Sequence, residues 1–184
     1  MNFPNKSQAL LVVIDMQEKL MNAIPSEERE PLIKNAEILI ESAKTLGIPI
    51  IVTEQYPKGL GSTIEEIKEK LGEYFNPIEK VVFSCARALE FKSILTAQKK
   101  RDIVLCGIET HVCVLQTAVD LIKEGYNVFV PVDAVASRKR LDWEVGIKLI
   151  EKAGAIAGTV ETFLFQMLER AGTDEFKRIS KLIK

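Results

Sequence analysis

The stretch RDIVLCGIETHVCVLQTAVDLIKEGY, residues 101–126, constrains the fold of this chain more than any other. Asp102 opens an apolar run typical of a buried strand at residues 103–106, and the chain then turns at Gly107 into a helix whose first turn carries Cys113. A helix start offers free backbone amides and the positive end of the helix dipole, which stabilise a thiolate and a developing oxyanion. Two interpretations of Cys113 stay open at this point: a reactive thiol, or a small apolar side chain packed against the sheet.

Short apolar runs alternate with helical patterns along the rest of the chain. The first run, ALLVVI, is rich in branched residues and is typical of a strand buried on both faces. Strands are predicted at residues 9–14, 48–53, 80–83, 103–106, 127–130 and 155–157. Helices are predicted at residues 30–46, 88–100, 141–153 and 160–169. Two further helices are predicted, one that begins after a cap at Ser62 or Thr63 and one whose first turn contains Cys113. This alternation predicts one domain, residues 1–184, with a three-layer α/β/α fold and a mostly parallel six-stranded sheet of Rossmann-type topology.

Apolar spacing indicates which faces of the helices are buried. The helix at residues 88–100 is predicted to turn inward Leu89, Ile94 and Leu95, and the helix at residues 141–153 to turn inward Val145, Leu149 and Ile150. A helical tail, residues 173–184, carries an apolar stripe of Phe176, Ile179, Leu182 and Ile183. That stripe needs a surface to cover, which is either a second subunit or the chain's own domain.

Composition excludes several classes of partner. With 25 Lys and Arg against 26 Asp and Glu, the formal charge is −1, so there is no general basic field to hold nucleic acid or an anionic membrane. The beginning of the chain, MNFPNKSQ, has no secretory signal, and no apolar run reaches spanning length, so we expect a cytoplasmic protein. Three cysteines without C-x-x-C spacing favour neither a disulfide framework nor a zinc site, and they suit a reducing compartment.

Three residues with useful chemistry lie next to predicted strands. Asp15 follows the first strand, Lys80 begins the third, and Cys113 follows the central one. Ligands of parallel sheets bind at the carboxyl ends of the strands, where the strand order reverses. Taken singly, Asp15 is also explained as a cap and Lys80 as a solvated charge on an edge strand. No glycine-rich phosphate loop follows a strand, so no nucleotide cofactor is expected.

The chain resembles the isochorismatase-like cysteine hydrolases, the superfamily that includes nicotinamidases and N-carbamoylsarcosine amidases. The resemblance covers roughly residues 8–165 and rests on the segments VVIDMQ, KVVFSCA and GIETHVCVLQTAVDLIKEGYNVFVPVDAVAS, and on the order Asp, Lys, Cys. The loop VTEQYPKGLGST is most similar to the isochorismatase-domain-containing proteins. The resemblance implies an isochorismatase-like sheet, a catalytic triad of Asp15, Lys80 and Cys113, and association into dimers or larger oligomers. It further implies a cis peptide between Ile108 and Glu109, with the Glu109 and Cys113 amides forming an oxyanion hole.

The triad has an intelligible chemistry. We expect Asp15 to take the proton of the Cys113 thiol and to return it to a leaving amine, while Lys80 keeps that carboxylate ionised and oriented. Water then hydrolyses the thioester. On this hypothesis the pKa of Cys113 lies a unit or more below about 8.5. The expected substrate is a small amide or related carbonyl compound. The alternatives are vinyl-ether hydrolysis, as in isochorismatases, which generally lack this cysteine, and a binding or scaffolding protein without turnover.

The residues expected to contact the substrate are Gln17, Glu54, Gln55, Tyr56 and Phe83. For Glu54, Gln55 and Tyr56, an ordinary polar loop is an equal alternative. Of the other thiols, Cys85 is a rival nucleophile among small residues, and Cys106 lies inside an apolar strand and is assigned to the core. His111 is two residues from Cys113, so it points away from the thiol and is expected at the pocket mouth or at a subunit contact.

No metal ion and no cofactor is expected. The resemblance to nicotinamidases would place a zinc or iron site after the second strand, in a D-x-H pattern, but this chain has TEQYPKGLG there and a single histidine, His111. We therefore predict activity without a metal, and a main substrate other than nicotinamide.

Overall fold

A computed structural model describes residues 3–184. The strands in this part of the chain are β1 (Ala9–Ile14), β2 (Ile50–Gln55), β3 (Ile78–Lys80), β4 (Asp102–Ile108), β5 (Asn127–Pro131), β6 (Val135–Ala136) and β7 (Ile156–Gly158). The helices are α1 (Glu18–Asn22), α2 (Ser26–Leu46), α3 (Pro57–Leu60), α4 (Glu65–Leu71), α5 (Leu89–Gln98), α6 (Leu115–Lys123), α7 (Arg140–Ala153), α8 (Val160–Leu168) and α9 (Asp174–Leu182). A π-helical turn, Thr110–Val114, joins β4 to α6.

The strands form one parallel sheet in the order β3-β2-β1-β4-β5-β7, and β6 pairs with the end of β4. The strand order reverses between β1 and β4, which pair along their whole length up to Ile14 and Gly107. Gly107 has φ +114°, and a Cβ there would collide with the carbonyl oxygen of Ile14, so this position requires glycine. The reversal opens a crevice at the carboxyl ends of β1 and β4.

Both faces of the sheet are covered, as the alternation within β1 shows. Ala9, Leu11 and Val13 pack with α2, α4, α8 and α9 on one face. Leu10, Val12 and Ile14 pack with α5, α6 and α7 on the other. This is the two-residue period of a strand buried on both faces, and it confirms the predicted three-layer fold.

The strands differ from the prediction in number and in limits. The sheet has seven strands among the described residues because β6, two residues long, is too short to give a sequence pattern. Lys80 ends its strand, which runs from residue 78, instead of beginning it. The predicted cap of α4 is wrong: its N-cap is Ile64, and the hydroxyls of Ser62 and Thr63 donate to Glu54 instead.

Two predicted helix faces are wrong in part: Leu95 and Ile150 are buried as predicted, but Leu89, Val145 and Leu149 are not. Leu89 is 86% exposed, and Phe91 and Leu95 form the inward side of α5. Val145 and Leu149 are exposed on α7, which buries Gly146, Ile147 and Ile150. Both helices carry apolar residues on more than one side, so periodicity alone did not select the buried side.

The tail forms α9 and folds back on its own chain. Ile179 is fully buried against α2 and α8, and Phe176 stacks edge-on with Phe165 at a centroid distance of 6.1 Å. The apolar stripe of the tail therefore gives no reason to expect a second subunit. Among residues 3–184, no helix combines the length and apolar composition that crossing a bilayer requires.

Candidate active site

Asp15 follows β1 directly and has no solvent exposure. Its backbone adopts φ +51°, which turns the chain at the carboxyl edge of the sheet. The Thr53 hydroxyl donates to Oδ1 at 2.7 Å, and the Lys80 ammonium donates to Oδ2 at 2.7 Å. Both carboxylate oxygens are therefore held by side chains from β2, which pairs with β1, and from β3, the next strand beyond it.

Lys80 is the centre of the site. Its Nζ donates to Asp15, to Gln55 Oε1 at 2.8 Å and to the Phe83 carbonyl at 3.1 Å, and it lies 3.8 Å from Cys113 Sγ. Burial lowers the pKa of Lys80, but the charges of Asp15 and of the nearby thiols raise it by more, so the net shift is upward. The ammonium is therefore charged at neutral pH and stabilises negative charge on either neighbour.

Cys113 lies in the π-helical turn after β4 and is 5% exposed. The turn is closed by the Glu109 carbonyl, which accepts from the amides of Val112 and Val114, each at 3.1 Å. On its outer side α7 packs closely: a Cβ on Gly146 would lie 3.1 Å from the His111 backbone. The sequence places this thiol at a strand end, and the topology brings it to Asp15 and Lys80, the residues expected beside it.

The expected low pKa of Cys113 is wrong. Burial raises the pKa of this thiol, and the negative charge and hydrogen bond of Asp15 raise it further, whereas Lys80 lowers it by less. The thiol is therefore protonated at neutral pH. Because its hydrogen-bond partner is the Asp15 carboxylate, the arrangement supports proton transfer during attack better than a preformed thiolate.

The peptide between Ile108 and Glu109 is cis, as predicted. Among residues 3–184, neither the Glu109 amide nor the Cys113 amide donates a hydrogen bond to another helix, strand or loop. Their use as an oxyanion hole stays a prediction. The Glu109 carboxylate turns away to Arg138, accepting from its Nε at 2.9 Å and from its amide at 3.2 Å.

The polar residues after the first two strands hold the site together. Gln17 is fully buried; it donates to the carbonyls of Gln55 and Gly61 at 3.0 and 2.6 Å and accepts from the Gln55 amide at 2.7 Å. Glu54 accepts from the amide and hydroxyl of Thr63, both at 2.7 Å. Gln55 binds Lys80, so these three side chains fix the loop and the ammonium. Substrate contact by any of them stays a prediction.

Two of the proposed substrate contacts are exposed. Tyr56 is 54% exposed and Phe83 is 52% exposed. Val81, which follows β3 and precedes the Val82 and Phe83 carbonyls that bind Lys80, is 75% exposed. These apolar side chains follow β2 and β3, at the edge of the sheet where Asp15 and Lys80 lie. Their contact with substrate also stays a prediction.

The remaining candidates have separate surroundings. His111 Nδ1 lies 2.9 Å from the Ser137 hydroxyl oxygen, so the ring contacts the loop before α7. Cys85 is fully buried with its Sγ 3.7 Å from the Thr53 hydroxyl, and burial, followed by the charge of Asp15, raises its pKa to about 11. Cys106 lies in the core, where burial raises its pKa to about 12.

Sequence reasoning missed Thr53 and Arg138. Thr53 reaches Asp15 because it pairs in register with Ile14 across two parallel strands, a relation that a single sequence does not reveal. Arg138 reaches Glu109 across 29 residues through the β6–α7 loop. Among residues 3–184, no three His, Cys, Asp or Glu side chains are grouped in a way that would hold a metal ion.

The chain is similar to known proteins along most of its length. The model of the isochorismatase domain matches residues 9–162. Isochorismatase domain-containing protein 2 of Bos taurus is 35% identical over 176 residues, which are 96% of this chain and 83% of that protein. The secreted isochorismatase effector Isc1 of Phytophthora sojae is 38% identical over 180 residues, which are 96% of this chain and 84% of the effector.

Solved structures extend the likeness to three dimensions. The MAR1 ribonuclease of Caenorhabditis elegans is 41% identical with a TM-score of 0.90, over 99% of this chain and 92% of that chain. The YcaC gene product of Escherichia coli, an octameric hydrolase of unknown specificity, has a TM-score of 0.91 at 21% identity, over 99% of this chain and 91% of that chain. The second likeness shows a shared fold alone.

Proposed function

Because this chain belongs to the isochorismatase family, we propose that it is a cysteine hydrolase that cleaves a small amide or related carbonyl compound. Asp15, Lys80 and Cys113 are the proposed catalytic residues. The observation that carries the proposal is the single buried ammonium of Lys80, which lies 2.7 Å from the Asp15 carboxylate and 3.8 Å from the Cys113 sulfur.

In the proposed reaction, the Cys113 sulfur attacks the carbonyl carbon while its proton passes to the Asp15 carboxylate. The C–N bond breaks, and Asp15 gives that proton to the departing amine, which leaves a thioester on Cys113. Water then attacks the thioester, giving a proton to Asp15. The acid is released, and the same proton returns to the sulfur. The oxyanion of each step lies next to the proposed amide donors of Glu109 and Cys113.

The burial of these groups supports catalysis over a purely structural role. Desolvating an ammonium and a carboxylate costs several kcal/mol per ion, and apolar residues of similar volume often stabilise a fold as well or better. The Cys113 thiol is a third ionisable group within 4 Å of the same ammonium, and such a cluster is typical of a catalytic site. A scaffolding protein would have no need of it.

The test is a screen of small amides, ureides and esters, with isochorismate included, against the wild type, Cys113→Ala and Cys113→Ser. We expect amide or ester turnover that both variants lose, with accumulation of an acyl-enzyme on the wild type detectable by mass spectrometry. Turnover that survives in Cys113→Ala would refute the nucleophile. Turnover of isochorismate alone would favour the vinyl-ether reaction.

Hydrolysis of RNA is a second candidate, since the Caenorhabditis elegans relative is named a ribonuclease. Two observations favour the small substrate. The chain has a formal charge of −1, and Cys113 is only 5% exposed, which leaves little access for a polyanion. An oligoribonucleotide belongs in the same screen, and cleavage that Cys113→Ala retains would point to a contaminant or a different site.

We also propose that the chain associates with itself and acts in the cytoplasm. Association is supported by the Escherichia coli structure of the same fold, which is named as octameric. A cytoplasmic location is supported by the three cysteines, which are free thiols. The Phytophthora sojae relative is named as secreted, so export from the cell is the alternative location. Subcellular fractionation of the source cells tests location, and light scattering tests association.

A further inference from the structure

Helix α7 exposes a row of apolar side chains. Leu141 is 67%, Val145 is 44% and Leu149 is 46% exposed, and the four-residue spacing aligns them along one side of the helix. We propose that this row is an interface at which two copies of the chain associate, with α7 of one copy packed antiparallel against α7 of the other. The inference deepens the proposed self-association by naming its surface.

The opposite side of α7 is already occupied. Gly146 packs on the π-helical turn that carries Cys113, and Ile147 and Ile150 lie in the core between α7 and the sheet. Among the large apolar side chains that the structure describes on this helix, only the row of Leu141, Val145 and Leu149 is exposed. An apolar stripe on a surface helix needs a partner, and on α9 the chain supplies that partner itself.

The row ends in a groove between α6 and α7. The groove has a volume of about 340 Å³ and is lined by Leu115, Val119 and Leu149 together with charged side chains of α6. In an antiparallel pair centred on Val145, Leu141 of the second copy lies level with Leu149 of the first. Its side chain therefore reaches this groove, and by symmetry the contact is made twice.

The charges beside the row indicate its orientation. Asp142 precedes Val145 by three residues and Lys148 follows it by three, so the two charges flank the centre of the row at opposite ends. Lys148 has no ion-pair partner within residues 3–184, and Lys152 adds a second positive charge at the same end. An antiparallel partner sets Asp142 of one copy against Lys148 of the other, whereas a parallel partner sets each of these charges against its own kind.

This complementarity favours a second copy over an unrelated protein. Asp142 and Lys148 lie on one helix, and each meets the other across the pair when the same surface is presented twice. A two-fold axis through Val145 provides this in a closed pair.

The first test is sedimentation velocity of the wild type, Val145→Glu and Leu89→Glu over a range of concentrations. Val145→Glu sets two carboxylates face to face at the axis, and we expect the concentration of half-dissociation to rise at least about tenfold. Leu89→Glu is the matched control, because Leu89 is an even more exposed leucine that belongs to α5 and does not line the groove between α6 and α7. It should associate like the wild type.

The second test reverses charges. Asp142→Lys and Lys148→Asp should each weaken association roughly threefold or more, because like charges then meet across the pair. The variant with both changes should recover the wild-type association. Circular dichroism and the Tm of each variant check that the monomer is folded, which the exposure of these positions favours.

The outcomes separate the two levels of the proposal. A wild type that stays monomeric at tens of micromolar would overturn self-association altogether. A wild type that associates, with Val145→Glu unaffected or with Leu89→Glu equally impaired, would overturn this interface and leave self-association in place. Turnover by Cys113 is measured separately and decides the proposed function on its own.

Discussion

Cys106 and Cys113 are seven residues apart on the same strand and turn, and they contrast two ways of burying a thiol. Cys106 is fully buried among apolar side chains, and burial is the one cause that raises its pKa to about 12. Cys113 is 5% exposed and borders Asp15 and Lys80. Burial therefore suppresses ionisation at both positions, and two neighbouring charges distinguish the candidate nucleophile from the core residue.

The difference arises where β4 leaves the sheet. Within the strand, Cys106 pairs with Val13 and its neighbours are apolar by the alternation of the strand. Beyond Ile108 the chain passes the carboxyl edge, where Asp15 follows β1 and Lys80 ends β3. A thiol gains charged neighbours only at this edge, so the contrast predicts separate effects on activity and on stability.

The largest expected effect is on catalysis. Cys113→Ala should lower kcat at least about 10⁴-fold, because nothing else supplies the nucleophile. Cys106→Ala should leave kcat unchanged and lower the free energy of unfolding by about 1–2 kcal/mol through a small cavity. Steady-state kinetics and urea unfolding of both variants check this. Loss of activity in a folded Cys106→Ala would break the comparison.

The buried ion pair should show strong coupling in stability. Asp15→Asn or Lys80→Met leaves one buried charge without its partner and should cost about 3–5 kcal/mol of unfolding free energy. The variant with both changes should recover most of that loss while staying inactive. Arg87→Met is the control, because Arg87 is 61% exposed in its pair with Asp120 and should matter by less than about 1 kcal/mol. Equal losses in all three single variants would contradict the account.

Alkaline pH should destabilise the fold through its buried thiols. Burial raises the pKa to about 11 at Cys85 and to about 12 at Cys106, whereas an unfolded chain has a thiol pKa of about 8.5. The stabilisation from each buried neutral thiol is therefore fully present below about pH 8.5 and is lost as the pH rises through the folded pKa, because the unfolded chain ionises first. The raised pKa of Lys80 acts in the same direction at higher pH. We expect unfolding free energy to fall by up to about 1.4 kcal/mol per pH unit per thiol above pH 9. Cys106→Ala should show a shallower slope in urea unfolding at pH 7.5 to 10.5.

Alkylation should distinguish the thiols by a smaller factor. Cys113 should react with iodoacetamide roughly tenfold faster than the others, because it alone has some exposure as well as a carboxylate that accepts its proton. Limited labelling with peptide mapping measures the order. Asp15→Asn should slow labelling of Cys113 and leave Cys106 unaffected. Preferential labelling of Cys85 or Cys106 would remove Cys113 as the candidate nucleophile.

The smallest expected effect is that of metal removal. Treatment with a chelator should change the rate on the best substrate by less than about twofold, since the triad supplies nucleophile, base and cation. Nicotinamide should be turned over poorly before and after zinc, iron or manganese is added. Activity that disappears with the chelator and returns with metal would show that the loop after β2 has been misinterpreted.

Much of the site could be predicted because its residues occupy strand ends. Asp15 and Cys113 follow apolar runs, Lys80 precedes one, and the resemblance to the family implied their roles. The pKa of Cys113 could not be predicted, because its direction depends on how deeply the turn is buried and on the balance between Asp15 and Lys80. The supporting Thr53 and Arg138 depended on register and on a long loop.

The sequence by itself determined the layers and the central turn. Runs of branched residues such as ALLVVI are typical of a strand covered on both faces, and Gly107 is needed where its strand passes close to Ile14. The tertiary structure alone decided which apolar stripe was covered. The stripe of α9 and the row of α7 have comparable patterns, but only α9 lies against a free face of its own chain. Helical periodicity specifies that an apolar side exists, whereas the position of the neighbouring elements decides whether the chain itself can bury it.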